Sequence, residues 1–417
     1  MVVAEVVGVG IFLTPATMLR SSGGLGLAIA VWMGMGLLSA AGALCYAELA
    51  SRFPAAGGEY VFLREAFGAR AAFVHGWISA LVIDPGLTAA LGLGFAQYLA
   101  PLARIPQSWL PLAAMTAIVA LGILSVLGLR VSALVMTWVA AAKLTAVVVI
   151  LLATLAFTSD VSDATQVMMG VRALDADAVA TSTVAAFFAF GGWWDLGRMA
   201  GEVERPSRTM PVALVGGLAL VTLIYIVASI GFTRAASGQH VASDEALVAT
   251  VGAALFGPSG ATILTAIVLV AVAGSLIARL VGAPRLYLAM AHDGLFPRSL
   301  ATFNAVRGTS PRLTALQVVL ACGFVAVGTF DEILGYFIPA AVFFLGLSAA
   351  AVLRLPRHAS DAWFRAPLHP APIFLFLVLI VVVLGLFVVG RPVATTGMAA
   401  FVLVVFGLSR FVVSEAQ

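Results

Sequence analysis

Two stretches decide the fold: Val2–Pro15, VVAEVVGVGIFLTP, and Ala185–Pro206, AAFFAFGGWWDLGRMAGEVERP. Each is an apolar run broken by glycines, at Gly8 and Gly10 in the first and at Gly191 and Gly192 in the second. A break inside hydrocarbon frees N–H and C=O groups that lipid cannot satisfy, so they must face a ligand or a wet cavity. Glycine also lets membrane helices pack closely, and for either stretch alone that reading carries equal weight. Two such breaks at matching places in the two halves, with WWD directly after the second, favour a binding site. We expect Gly8–Gly10 and Ala189–Gly192 to be non-helical and to face each other.

Outward from these stretches the chain is apolar throughout. Of its 417 residues 62% are hydrophobic and 10% charged, more apolar surface than a soluble fold can hide. A run of about 20 apolar residues spans a bilayer core of roughly 30 Å. Such runs centre near Gly10, Leu38, Pro85, Val119, Thr145, Gly192, Leu223, Gly274, Leu320, Val342, Val381 and Val404. No train of short alternating strands appears, so the runs read as helices. The fold class is therefore an all-α membrane protein of twelve transmembrane helices, the first and sixth broken. If five helices make one repeat, those two hold corresponding places, and the odd number inverts the second copy.

The remaining composition narrows the reading. A formal charge of +3 gives no reason to expect nucleic acid as a partner. With a cytoplasmic amino terminus, fourteen arginines fall in or beside cytoplasmic segments and five outside, so both termini are expected inside. No cleavable signal peptide is apparent. About six residues precede Gly8, or ~9 Å of helix, against ~15 Å for half a bilayer core. We therefore expect the natural chain to begin upstream of Met1. Cys45 and Cys322 fall in different runs and read as free buried thiols. His75, His240, His292, His358 and His369 are scattered over predicted helix ends and loops with no metal-ligand spacing. A short surface helix is expected in Ala236–Gly257, ASGQHVASDEALVATVGAALFG.

At these residues the chain resembles the amino acid–polyamine–organocation superfamily. GVGIFLTP (8–15) resembles the first-helix signature, and CYAELASRFPAAGGEYVFLREAFG (45–68) the segment after the second helix. FFAFGGWWD (187–195) with EVERPSRTMPVAL (202–214) resembles the sixth helix and its loop, and PRLYLAMAHDGLFP (284–297) the end of the eighth. The spacing from Pro85 to TAALGLGFAQYL (88–99) resembles the L-type amino acid transporter branch and its bacterial relatives. The resemblance spans essentially the whole chain. It implies one transmembrane domain, 1–417, with a first inverted repeat at 1–157, a second at 179–353, and two further helices at 368–414. It implies a permease of the cytoplasmic (inner) membrane that carries amino acids by alternating access, with membrane lipid around it and no cofactor. Relatives that bind a single-span partner do so through an outer-loop cysteine. Neither cysteine here lies in an outer loop, so no disulfide-linked partner chain is expected.

The resemblance also implies a site. The amides of Val9 and Gly10, with Gly8 opening the turn and Ile11 following, are placed to hold a substrate carboxylate, which helix-end amides suit on physical grounds. The carbonyls of Val6, Phe188 and Gly191 are placed to hold the ammonium, with Ala189 and Phe190 completing the break and Phe188 as an aromatic lid. Ordinary packing is the plainer reading of one phenylalanine among 26. The chain departs from the family at Val9, where a serine is frequent, at Asp84, where L-type relatives often carry arginine, and at Glu5, where a small or amide residue is usual.

Charges within apolar runs are costly and are functional or paired. Here they are Glu5, Asp84, Lys143, Asp195, Arg198 and Arg279. Lys143, the one lysine of the chain, lies in WVAAAKLTAVVVILL (138–152). It resembles the fifth-helix lysine that replaces a sodium ion in sodium-independent members, with Ser275 on the eighth-helix stretch it would face. A structural ion pair with Glu5 is the alternative. Asp195 and Arg198, three apart, read first as an intrahelical pair. Arg279 reads as facing a cytoplasmic vestibule, with Asp84 as its partner or near the outer mouth. Glu48 and Glu59 read as partners of loop arginines. The reading reached is sodium-independent transport of amino acids, neutral ones foremost, by exchange or uniport. Proton-coupled uptake of amino acids or cationic amines, with Glu5 and Lys143 titrating, is the alternative. An enzyme lacks a catalytic constellation, and a sensor lacks a signalling module.

Overall fold

A computed structural model describes residues 10–14, 17–18, 25–53, 57–127, 141, 145, 147–149, 176–235, 244–304, 308–356 and 363–415. In chain order the helices are α1 (Gly10–Leu13), α2 (Leu25–Arg52), α3 (Glu59–Phe67), α4 (Ala69–Ala103), α5 (Leu110–Val126), α6 (Ala176–Ala189) and α7 (Trp193–Glu202). They continue as α8 (Pro206–Pro211 running through Val212–Gly216 into Gly217–Ala235), α9 (Asp244–Phe256), α10 (Pro258–His292), α11 (Pro311–Val327), α12 (Phe330–Arg354), α13 (Ala371–Gly390) and α14 (Pro392–Glu415). α7 is a 3-10 helix.

Eight helices among the described residues are long and apolar enough to cross a membrane: α2, α4, α5, α8, α10, α12, α13 and α14. α11 is apolar but spans 17 residues. The protein is thus an all-α, multi-pass membrane protein. The segment expected to hold a short surface helix contains the helix α9. Most of the predicted fifth helix, including Lys143, lies outside the described residues.

The helices fall into two packed sets. α4, α5, α10 and α11 pack on one another, with Gln317 Nε2 donating to Thr88 Oγ1 at 2.9 Å between α11 and α4. α2 packs against α6, α7 and α8, with Trp32 Nε1 donating to Ser229 Oγ at 2.9 Å between α2 and α8. α12 touches members of both sets. Buried Trp, Tyr and Phe side chains fill the spaces between helices, while leucines, valines and phenylalanines of α13 and α14 stand exposed where lipid would lie.

α4 carries a π turn, Ser79–Ile83, immediately before Asp84 and Pro85. Proline has no N–H and its ring collides with the carbonyl four residues back, so a wider turn there keeps the helix running. The turn sets Asp84, fully buried, against α10.

Candidate functional site

α6 stops where the glycines begin. Its last regular bond runs from the Phe190 amide to the Ala186 carbonyl at 2.9 Å. The Gly191 amide then turns back to the Phe188 carbonyl at 3.0 Å, and Gly192 takes φ +103°, a conformation that L side chains rarely adopt. α7 opens with the Asp195 amide donating to the Gly192 carbonyl at 3.0 Å. The hydroxyl of Tyr225, on α8, donates to the Ala189 carbonyl at 2.7 Å, satisfying one of the groups freed by the break.

Gly10, the first described residue of α1, lies directly against this break. A Cβ on Gly10 would sit 2.0 Å from the Ala189 Cα and 2.7 Å from its carbonyl oxygen. Gly10 therefore meets the end of α6 backbone to backbone, an approach that only glycine at position 10 allows. The break in α6 is Phe190–Gly192, with Ala189 the last helical residue; Gly10 is helical, and Gly8 and Val9 lie outside the described residues.

Beside this junction is a cavity of about 80 Å³. Gly10, Phe188, Ala189, Gly191 and Gly192 form one wall, and Leu87 and Leu91 of α4 face them. Phe187, Trp194, Phe337 and Ile338 supply the apolar lining, and Ser275, Arg279 and Asp195 the polar lining. Phe188 meets the Phe330 ring edge-on at 5.5 Å, which fixes the aromatic in the cavity lining. The structure thus brings Gly10, Phe188, Ala189, Gly191 and Ser275 together. Phe190 turns away: its ring packs on Trp32 and Tyr225, at 5.9 and 5.2 Å. Glu5, Val6, Gly8, Val9 and Lys143 lie outside the described residues, and Ile11 is described only as part of α1.

Asp84 is the partner of Arg279, one of the two places expected for it, and the bridge onward from Arg279 to Asp195 was not anticipated. Arg279 is bonded on one side to Asp84 Oδ1 and on the other to Asp195 Oδ2, the latter at 2.6 Å. Tyr287 donates to the second oxygen of Asp84 at 2.6 Å. Asp195 therefore reaches across to α10, because the 3-10 winding of α7 and the break before it aim the carboxylate at the cavity. The side chain of Arg198 lies outside the described residues. A guanidinium presents a fixed fork of donors and so can bridge two carboxylates at once.

A second polar cluster bears on the expectations for Glu59 and His75. Among the described residues Glu59 is bonded to no arginine; it accepts from the Tyr46 hydroxyl and faces His75 Nε2 at 3.2 Å. His75 is buried within α4, with Ser79 Oγ 3.3 Å from its Nε2. Glu48 accepts from the Ala366 amide at 2.8 Å. Nearby, Tyr60 and Arg64 of α3 both bond Asp293 just past α10. Burial and the Asp293 carboxylate push the Tyr60 hydroxyl well above the usual tyrosine range. Cys45 is buried and Cys322 half-buried, and both are free thiols. Among the described residues no group of His, Cys, Asp or Glu is placed to hold a metal ion.

Comparison with known proteins agrees with this geometry. The model of the amino acid permease family matches residues 1–408. The cystine/glutamate transporter of Homo sapiens is 26% identical over 424 residues, covering 96% of this chain and 83% of that protein. The serine/threonine exchanger SteT of Bacillus subtilis is 25% identical over 414 residues, covering 98% and 92%. The large neutral amino acids transporter small subunit 2 of Mus musculus is 31% identical over 319 residues, covering 74% of this chain and 59% of that protein. A family model matched over nearly the full length, on a chain in which Gly10 meets the α6 break beside a cavity, settles the assignment: this chain belongs to the amino acid permease family.

Proposed function

We propose that this chain is a sodium-independent carrier of small neutral amino acids, working by exchange or uniport. That it is a secondary amino-acid transporter rather than an enzyme follows from its family and its relatives. The observation that carries the finer reading is the junction of Gly10 with the α6 break beside the cavity. Unwound backbone there can meet an α-carboxylate and an α-ammonium, which every amino acid presents, while the apolar wall takes the side chain.

Size supports the small-substrate reading. A cavity of about 80 Å³ beside the junction suits the smaller amino acids, from glycine to threonine. The serine/threonine exchanger covers this chain almost entirely, which fits the same range.

The wider architecture belongs to the same proposal. It has twelve helices in two inverted repeats, 1–157 and 179–353, with 368–414 added, both termini in the cytoplasm, and a place in the L-type branch. The eight spans, the paired breaks and the arginine distribution support it. Lys143 stands in for sodium, supported by its place in the apolar run 138–152.

The test is uptake of labelled amino acids into proteoliposomes, with and without internal amino acid. Small neutral amino acids should drive counterflow and compete with one another. Their decarboxylated amines should not compete, because one buried charged partner is lost. Equal competition by amines, or no uptake under either condition, refutes the proposal.

A further inference from the structure

Among the described residues, two polar contacts tie the set of α4 and α10 to the elements at the α6 break, one to α7 and one to α1, which packs on α6. Arg279 on α10 meets Asp195 on α7 at 2.6 Å. The Tyr98 hydroxyl on α4 donates to the Phe12 carbonyl on α1. From these we infer that Arg279–Asp195 and Tyr98–Phe12 are the two closures of the substrate cavity, released alternately as the carrier turns over. The inference rests on the carrier reading and adds the residues that do the closing.

Position along α4 separates the two contacts. Asp84, which holds Arg279, and Tyr98 are fourteen residues apart on this helix, ~21 Å at 1.5 Å per residue. Leu87 and Leu91, between them, line the cavity. One contact therefore sits at each end of the space a substrate would occupy. A carrier that opens to each side in turn must part the sets at one end while holding them at the other.

Anchoring separates fixed bonds from breakable ones. Arg279 is tied within its own set by Asp84, and Tyr287 donates to the same carboxylate. Its bond to Asp195 is the arm that reaches the other set. Asp84 is fully buried, whereas the Asp195 side chain is 17% exposed and borders the cavity, so water can take over its hydrogen bonds when the arm lets go. On the other set, Ala189 and its helix break are held to α8 by Tyr225. A third link, Tyr46–Glu59–His75, runs through α3 and touches no residue of the cavity.

The test reads accessibility and needs no substrate. A single cysteine is placed in the cavity wall by Leu91→Cys in a Cys45→Ala, Cys322→Ala background. Its modification by a membrane-impermeant methanethiosulfonate is timed from each membrane face. Asp195→Asn should raise the rate from one face about tenfold relative to the other, and Tyr98→Phe should raise it from the opposite face. Tenfold corresponds to about 1.4 kcal/mol in the balance of the two open states. Where Asp195→Asn fails to fold, Arg279→Lys serves in its place, since one ammonium lacks the fork that spans both carboxylates.

Shifts toward opposite faces support the closures. Shifts toward the same face, no shift, or no labelling in any background overturn them. A structural role lowers stability without choosing a face. Absence of amino acid uptake in proteoliposomes would refute the proposed function yet leave the labelling result readable, and uptake without reciprocal shifts would refute the closures alone.

Discussion

Replacing Gly10 by alanine tests the site at its tightest point. The added Cβ would stand 2.0 Å from the Ala189 Cα, 2.5 Å from its Cβ and 2.7 Å from its carbonyl oxygen. Ordinary contact begins near 3.4 Å, so α1 and the end of α6 must part by about 1.4 Å. Two of the three atoms are backbone, and no rotamer change can move them. Overpacking of a core typically costs about 1–3 kcal/mol, and the lack of any side chain to yield puts this case at or beyond the upper end. The same displacement opens the cavity wall and tilts the Ala189 carbonyl away from Tyr225.

Matched controls separate this clash from a general effect of losing glycine. Gly34 on α2 and Gly282 on α10 have nothing within 4 Å of a built Cβ. Alanine there should be neutral, or should stabilise by about 0.5–1 kcal/mol through the lower backbone entropy of the unfolded chain. The assay is thermal unfolding of the purified carrier together with initial uptake into proteoliposomes. Gly10→Ala should fall by several degrees and lose at least nine-tenths of uptake, while Gly34→Ala and Gly282→Ala keep both. Ala189→Gly added to Gly10→Ala should restore little, since the Cα and carbonyl contacts remain. Parent-like melting and uptake in Gly10→Ala would refute the backbone-contact argument.

Three further outcomes follow from the same geometry. Tyr225→Phe removes the buried donor to the Ala189 carbonyl, a loss of about 1–3 kcal/mol, and should lower the melting temperature and the maximal uptake rate together; unchanged melting would refute it. Asp84→Asn strips Arg279 of a buried charged partner, costing about 3–5 kcal/mol, whereas Tyr287→Phe forfeits one hydrogen bond at about 1 kcal/mol; thermal unfolding with the order reversed would count against the network. Uptake should be unchanged when sodium is replaced by choline and should collapse in Lys143→Ala. Sodium dependence in the parent, or full activity in the variant, would refute the lysine's role.

The parts of this protein written in local pattern were legible from its sequence. Long apolar runs fixed the helices because lipid leaves no other way to satisfy the backbone. The break in α6 was visible because consecutive glycines remove both side-chain packing and the barrier to φ above zero, and Gly192 uses that freedom. The direction of the Phe190 ring was not legible for a related reason. In a broken segment the helical period no longer says which way a side chain points, and this ring turned toward Trp32 rather than the cavity. His75 was read as a helix-end residue, whereas α4 continues past it through a π turn that no propensity scale anticipates.

The bridge from Asp195 to Arg279 was the least legible feature, and the reason is distance in sequence. A spacing argument favours neighbours, so Asp195 was read first against Arg198, three residues away. Arg279, which bonds Asp195, is 84 residues on, and Asp84, already offered as a partner of Arg279, is 195 residues from it. The physics of a membrane interior still restricts the answer. A charge in an apolar run must find an opposite charge or a wet cavity, and few residues of this chain qualify. Asp84 and Asp195 lie in different runs from Arg279, so a set of three that satisfies all of them must join helices. Such a set is a structural tie when every member belongs to one packed group, as Asp84, Tyr287 and Arg279 do. It becomes a moving part when one member belongs to the other group, and Asp195 is that member. The same accounting, applied to the charged residues of apolar runs in other carriers, separates ion pairs that hold a carrier together from those it must break to work.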